Sequence, residues 1–346
     1  MPNKDRDDSA NLLTSRQVAR PGTSPYADMV WIPGDTFTMG SDKHYAEEAP
    51  VHRVMVKGFW INKFAVTNQQ FAQFVEETGH VTSAERPPNP DDYPGAKPEM
   101  LQPASVVFLK PAARVDLRNQ YNWWFYIAGA DWRHPEGPES SIVGREQHPA
   151  VHVAYEDAEA YARWAGKKLP TEAEWEFAAR GGLDAATYAW GEDFTPGGKQ
   201  MANTWQGEFP WQNLLSDGYE RTAPVAQYPP NGYGLFDMIG NVWEWTTDWY
   251  SSHHPAIEAY CAGAIHKGGE RDQSHDPQTP NLRIPRKVIK GGSFLCAPNY
   301  CRRYRPAARM AQPIDTSACH VGLRLIVRVK LDAEEAECHR AARAKD

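Results

Sequence analysis

Two cysteines separated by four residues, Cys296 and Cys301, are the side chains whose types and spacing best suit metal or redox chemistry. The preceding pair Gly291-Gly292 permits unusual backbone dihedrals, and a Pro-Asn pair between the cysteines predicts a bend that could bring the thiols together. Converging thiolates bind a soft metal such as Cu(I), and the basic segment at 302–305 favours the thiolate form. The spacing alone leaves buried structural cysteines and a reversible disulfide open as alternatives.

Two further stretches place carboxylate and amide oxygens on glycine-bearing turns, which is the ligand chemistry that Ca²⁺ selects. The stretches are Asn203-Thr204 with Asp217-Gly218-Tyr219, and Asp237 with the segment 240–244. Because Asn, Asp and Gly are also ordinary turn residues, a purely structural interpretation of each stretch stays open.

Three helices are predicted among the elements that must position these residues. The second covers about 156–164, and the first and third are marked by capping boxes and terminal glycines: Thr67 with Gln70 and Gly79, and Thr171 with Glu174 and Gly181. On the third helix, the alternating glutamates at 172, 174 and 176 are expected to serve the cap, the helix dipole and a solvated face.

Strands are predicted at 29–33, 52–61, 287–290 and 322–327, and the stretch 82–147 is predicted to be irregular. The segment at about 251–286 is expected to be a surface insertion in which His253 and His254 are solvated. A disordered arm over 1–27 and a charged tail over 331–346 would flank one domain, 28–330.

Composition excludes several classes of protein. The 346 residues include 37 Lys and Arg against 44 Asp and Glu, a net charge of −7 that argues against a nucleic-acid binder. No apolar run approaches the ~18 residues of a membrane span. Five cysteines are an odd count that does not suit a disulfide framework. Without a hydrophobic leader, the expected location is cytoplasmic.

Several longer motifs resemble those of the formylglycine-generating enzyme (sulfatase-modifying factor) family. They lie at 132–138, 148–153, 166–176, 202–210, 230–235 and 240–245, so the resemblance extends over about 28–329. The segments Leu-Pro-Thr-Glu-Ala-Glu-Trp-Glu and Gly-Asn-Val-Trp-Glu-Trp are shared with a wider superfamily. The formylglycine generators themselves have a similar order of residues to Ser293, Cys296, Tyr300 and Cys301 followed by the basic segment.

The resemblance implies an α+β, C-type-lectin-like domain that is low in regular secondary structure. It also implies an O₂-dependent oxidase that converts a cysteine in a Cys-x-Pro-x-Arg segment of an unfolded sulfatase to Cα-formylglycine, with a thiol reductant. Cys296 and Cys301 would hold Cu(I), the substrate cysteine would add a third thiolate, and Ser293, Trp243 and Tyr300 would line the pocket. The enzyme is expected to be a monomer with no nucleic-acid or membrane partner.

The resemblance further implies two structural calcium sites that pin loops. The first would use Asn203, the Thr204 carbonyl, Asp217 and the Tyr219 carbonyl, and the second would use Asp237, Gly240, Val242 and Glu244. This sequence departs from the family pattern at Ala297, where many members carry His, and in its longer 251–286 insertion. Cys319 and Cys338 match no family position and are interpreted as incidental thiols.

Two alternatives come from other functional classes. One is a non-catalytic peptide-binding or lectin-like scaffold of the same superfamily, which the retention of both cysteines disfavours. The other is an iron-dependent sulfoxide synthase, a class that usually adds an N-terminal helical domain with metal-binding histidines, for which the 27 polar residues before the first strand leave no space.

Overall fold

The fold is described from a computed structural model for residues 24, 26–254, 266 and 268–329. The three α-helices in this part of the chain are α1 Asn68–Thr78, α2 Tyr155–Trp164 and α3 Glu172–Arg180. The strands are β1 Met29–Ile32, β2 Asp35–Met39, β3 His52–Val56, β4 Phe59–Asn62, β5 Ala104–Phe108, β6 Trp124–Ala128, β7 Trp243–Trp249, β8 Arg286–Lys290, β9 Arg309–Pro313, β10 Val321–Gly322 and β11 Ile326–Arg328. None of the helices seen here is long and apolar enough to cross a membrane. The predicted tail 331–346 and nearly all of the predicted arm 1–27 lie outside the described residues.

The helix ends follow the capping chemistry of the sequence. Thr67 and Gln70 exchange the reciprocal hydrogen bonds of a capping box at the start of α1, and Thr171 and Glu174 do the same for α3. Left-handed glycines end both helices, as predicted. The second helix begins at Tyr155, one residue before the expected start. These elements were predictable because a cap is decided within a few residues of sequence.

The strand predictions were wrong at two places where the chain changes sheets. The stretch 52–61 divides into β3, which pairs with β2, and β4, which pairs with β1 and β11. A Cβ on Gly58, in the link between them, would lie 2.4 Å from the Trp31 ring, so this close turn requires glycine. The stretch 322–327 likewise divides, because β10 pairs with β7 whereas β11 pairs with β4.

The region 82–147 is not wholly irregular, because β5 and β6 form an antiparallel hairpin within it. Three residues of β6 are exposed and the other two are half-buried, so the strand shows no clear inward-facing apolar pattern. Sequence periodicity detects a strand through such a pattern, which explains why this hairpin was missed.

The central sheet has the order β10-β7-β8-β9, and α3 packs against β7 and β8. Glu172 and Glu176 of α3 are fully buried in this contact, so the prediction of a solvated glutamate face was wrong. Lys290 lies 3.6 Å from Glu172 and 2.9 Å from Glu176, and Arg309 also pairs with Glu172. Burial opposes ionisation, but these cations hold the pKa of both carboxyls below the usual range.

We expect Lys290→Met to lower the free energy of unfolding by about 3 kcal/mol, because two buried carboxylates lose the cation that they share. Urea denaturation measures this change. The control is Arg328→Ala, which breaks the more exposed pair with Glu174 and should cost about 1 kcal/mol or less. Equal losses in the two variants would contradict the buried-network interpretation.

Candidate active site

The cysteine pair lies on the loop that leaves β8. Gly291 and Gly292 adopt φ values of 100° and 73°, and a Cβ on Gly292 would lie 2.9 Å from the carbonyl oxygen of Arg303. The glycine therefore allows the two ends of the loop to approach each other. Within the loop, the Cys301 amide donates to the Ala297 carbonyl at 2.9 Å, forming a helical turn.

This turn places the Cys296 and Cys301 sulfurs 3.2 Å apart. That distance is far longer than a disulfide bond, so the residues are two free thiols. Both side chains are buried, and the Ser293 amide donates to the Cys296 sulfur at 3.4 Å. The arrangement gives two convergent sulfur donors, which suit a soft ion better than a hard one.

The two thiols have different proton affinities. A hydrogen bond from Cys296 and the nearby Arg303 guanidinium lower the pKa of Cys301. Burial and the hydrogen bond to Cys301 raise the pKa of Cys296. The pair therefore favours a thiolate on Cys301 that accepts a hydrogen bond from the Cys296 thiol.

A set of contacts from distant segments holds Arg303 in place. Its guanidinium pairs with Glu47 and lies 3.9 Å from the centroid of the Tyr45 ring. Two residues further on, Arg305 forms a buried pair with Glu48. Tyr45, Glu47 and Glu48 thus hold the two arginines that follow the cysteine pair.

The thiols lie against a cleft of about 780 Å³. The three predicted pocket residues, Trp243, Ser293 and Tyr300, line it together with Cys296 and Cys301. The Tyr300 ring stacks on Phe209 with the ring centroids 4.3 Å apart, and burial raises the pKa of its hydroxyl to about 12. At neutral pH this phenol can therefore donate a hydrogen bond into the cleft.

The cleft is also lined by aromatic residues that the sequence did not reveal. Tyr121, Phe125 and Tyr126 are exposed by 74 %, 40 % and 43 %, although they are large and apolar. Trp124 stacks on His320 at 4.9 Å, and both also line the cleft. These residues belong to the missed β5–β6 hairpin or its surroundings, and only the tertiary fold brings them to the cysteines.

The first predicted calcium set comes together in the structure. Asp217 accepts hydrogen bonds from the Thr204 and Tyr219 amides, each at 3.1 Å, and burial raises its pKa. The Asn203 side-chain oxygen is buried and has no hydrogen-bond partner among the described residues. Asp217 is half-buried, and the Gln206 side-chain amide donates to it at 2.7 Å and also to the Thr204 carbonyl. A half-buried carboxylate near an unsatisfied amide oxygen fits an oxygen-seeking cation, which would displace this amide.

The second predicted set is already partly engaged with protein groups. Both Glu244 oxygens accept hydrogen bonds from Arg324, and Trp175 also donates to one of them at 2.6 Å. Asp237 is half-buried, and the loss of solvent around its carboxyl raises its pKa to about 6. It also accepts a hydrogen bond from the Ala226 amide. Among the described residues, Asp237 forms no direct ion pair, unlike Glu244. The site, together with Gly240 and Val242, stays a prediction.

The fold and the site define an α+β domain with a buried thiol pair against a cleft of about 780 Å³. Residues 14–329 match the family described as "Sulfatase-modifying factor enzyme 1-like domain", and the chain therefore belongs to the sulfatase-modifying factor family. The family, the α+β C-type-lectin-like fold and the enzyme class predicted from the sequence are confirmed.

Named relatives include both active and inactive proteins. The "Formylglycine-generating enzyme" of Mycobacterium tuberculosis is 51 % identical over 302 residues, which cover 86 % of this chain and 97 % of that protein. The "Inactive C-alpha-formylglycine-generating enzyme 2" of Bos taurus is 41 % identical over 252 residues, 70 % of this chain and 77 % of that protein. The structure of PvdO from Pseudomonas aeruginosa shares this fold, with a TM-score of 0.58 and 23 % sequence identity. The match covers 87 % of this chain and 94 % of the PvdO chain.

Proposed function

We propose that this protein oxidises a cysteine in a Cys-x-Pro-x-Arg segment of a sulfatase to Cα-formylglycine, using O₂ and Cu(I). The observation that carries the proposal is the pair of free thiols, with sulfurs 3.2 Å apart, that lines a broad cleft. Family membership and relatives named as formylglycine-generating enzymes support the reaction. Overall, the substrate cysteine, O₂ and electrons from a thiol reductant give formylglycine, sulfide and water.

The donor set supports copper as the metal. Cys296 and Cys301 would hold Cu(I), which when bound supplies the oxygen chemistry and takes the substrate thiolate as a further ligand. The Cys301 thiolate is stabilised before the metal arrives by Cys296 and Arg303. Burial of both sulfurs limits contact with water, which protects the thiols from unproductive oxidation.

The aromatic lining of the cleft supports a polypeptide as the substrate. The exposed rings of Tyr121, Phe125 and Tyr126 offer an apolar surface on which peptide side chains can pack. Ser293 and Tyr300 line the same cleft as the thiols, and their hydroxyl groups could orient the substrate backbone beside the reacting cysteine. The Trp243 ring adds to the apolar lining of the cleft.

The test is mass spectrometry of a Cys-x-Pro-x-Arg peptide incubated with the copper-loaded protein, O₂ and dithiothreitol. Conversion of the cysteine to an aldehyde, lost in Cys296→Ala, would establish the reaction and the site. A protein that holds copper and converts neither this peptide nor unfolded sulfatase would overturn the proposed chemistry.

A peptide-binding scaffold without chemistry is the second candidate, favoured by the aromatic cleft and by the relative named as inactive. Peptide binding that survives Cys296→Ala, combined with no copper uptake by the parent protein, would support it. The predicted monomeric state and cytoplasmic location are also proposals, tested by light scattering and by fractionation.

We further propose that Asn203, Thr204, Asp217 and Tyr219 bind a structural Ca²⁺ ion. We expect Ca²⁺ alone, added to metal-free protein at about 100 times its Kd, to stabilise the fold by about 2.7 kcal/mol, seen as a rise in Tm. Asp217→Asn should abolish this rise because it removes the charged ligand, whereas Asp116→Asn, which changes an aspartate paired locally with Arg118, should retain it. A parent protein whose melting curve does not respond to Ca²⁺ would contradict the site.

A further inference from the structure

Three histidines from distant parts of the sequence meet outside the cysteine cleft. One ring nitrogen from each of His52, His254 and His266 lies within 4.8 Å of those of the other two. His52 begins β3, His254 follows β7, and His266 lies in the segment predicted to be a surface insertion. The side chain of His266 is 2 % exposed. His254 is 3 % exposed, so the prediction that it is solvated was wrong.

Most ring nitrogens in this cluster lack a hydrogen-bond partner. Within the described residues, Nε2 of His52 and both ring nitrogens of His254 and of His266 are buried without one. The rings instead contact each other, with centroids 4.8, 5.5 and 5.8 Å apart. Because each buried, unsatisfied polar atom costs about 1–3 kcal/mol, such a concentration points to a ligand that these atoms share.

The hydrogen bond of His52 fixes its tautomer in the form that binds metals. Its Nδ1 lies 2.8 Å from the carbonyl oxygen of Pro50, which can only accept, so Nδ1 carries the proton. The lone pair is then on Nε2, the atom without a partner. Metal-binding histidines are oriented in this way by a carbonyl or carboxylate on the other nitrogen.

Nearby carboxylates supply the negative charge that a buried divalent ion requires. Nε2 of His266 lies 3.8 Å from Glu172 and 4.0 Å from Asp248. Glu172 is already paired with Arg309, whereas Asp248 accepts a hydrogen bond from the Glu172 amide. Neutral imidazoles with a carboxylate form a donor set suited to Zn²⁺, and the absence of sulfur from this set disfavours Cu(I).

We propose that His52, His254 and His266 form a structural Zn²⁺ site, a role beyond the proposed oxidase chemistry. None of the three lines the cleft. The buried His254 and the buried side chain of His266, together with the buried Nε2 of the half-buried His52, suit a structural site better than a catalytic one. The ion would fasten the chain after β7 to the start of β3.

The site would also brace the segment beside the cysteine pair. The His254 amide donates to the Ala49 carbonyl at 2.9 Å, and the adjoining residues Glu47 and Glu48 hold Arg303 and Arg305. The zinc site and the thiol centre are thus connected through a short run of chain, although they use separate ligands.

The test uses metal-free full-length protein carrying Cys301→Ser, which disables the thiol pair, and Zn²⁺ as the only metal. After desalting, we expect about one zinc ion per chain by inductively coupled plasma mass spectrometry. His254→Ala should remove this zinc and the accompanying rise in Tm. The matched control is His253→Ala, which changes the exposed neighbour and should retain both. Co²⁺ in place of Zn²⁺ should give d–d absorption without a sulfur charge-transfer band.

Equal zinc content in His254→Ala and the parent would overturn the assignment, as would a folded parent that takes up no zinc. Where His254→Ala fails to fold, the parent protein decides the question through chemical protection. Zn²⁺ should shield His52 and His266 from diethylpyrocarbonate while His253 stays reactive, as read by peptide mass spectrometry. Unchanged modification of all three positions would then refute the site.

Discussion

Cys301→Ser is expected to reduce turnover of a Cys-x-Pro-x-Arg peptide by roughly 10³-fold or more and to abolish stoichiometric copper binding. The reason is that the site consists of a pair of sulfurs 3.2 Å apart, and an alcohol oxygen is a poor ligand for a soft ion. The fold should survive, because serine is nearly isosteric with cysteine and backbone hydrogen bonds hold the loop. Peptide mass spectrometry and copper analysis on the same sample measure the two losses together.

The matched control for this variant is Cys319→Ser. Cys319 is also a buried free thiol, but it packs beside Phe108, whose amide donates to its sulfur at 3.3 Å. A hydroxyl can accept the same hydrogen bond, so this variant should keep both copper binding and turnover. Near-normal turnover by Cys301→Ser, or equal losses in the two variants, would contradict a copper centre at the cysteine pair.

The parts of this architecture that the sequence predicted are those decided by local chemistry. The ends of α1 and α3 follow from a hydroxyl, an acceptor three residues later and a terminal glycine. The meeting of Cys296 and Cys301 depends on a short loop that begins with two glycines, so it also could be anticipated. The individual roles of the residues around the thiols came from the family resemblance rather than from spacing.

The features that the sequence did not predict depend on partners far along the chain. Glu176 looks like a solvated glutamate until Lys290, more than a hundred residues later, is placed against it. His254 likewise lies in a polar segment, and its burial follows from contact with His52. The β5–β6 hairpin exposes aromatic rings to the cleft, which removes the alternation by which a strand is recognised. Long-range contacts explain why the burial of Glu176 and His254 was not predicted, and the exposure of aromatic rings to the cleft explains why the hairpin was not.

The second large effect is expected for Arg303→Met, which should weaken copper binding and turnover about 10–100-fold, the range typical for groups that support a metal ligand. Arg303 lowers the pKa of Cys301, and a group with a lowered pKa gains proton affinity when its cationic neighbour is removed. The thiolate will then form only at higher pH. The pH midpoint of Cys301 alkylation by iodoacetamide in metal-free protein should therefore move upward, and the pH dependence of turnover should move in the same direction.

Arg302→Met provides the control, because Arg302 is the exposed neighbour and carries the same charge. If Arg303 acted only by filling space, its replacement by Met would change stability but leave the alkylation midpoint where it is in the parent. If the general positive charge of the segment were responsible, Arg302→Met and Arg303→Met would shift that midpoint equally. A shift confined to Arg303→Met follows from the geometry, because Glu47 and Tyr45 hold this one guanidinium in place, where it acts on the Cys301 sulfur.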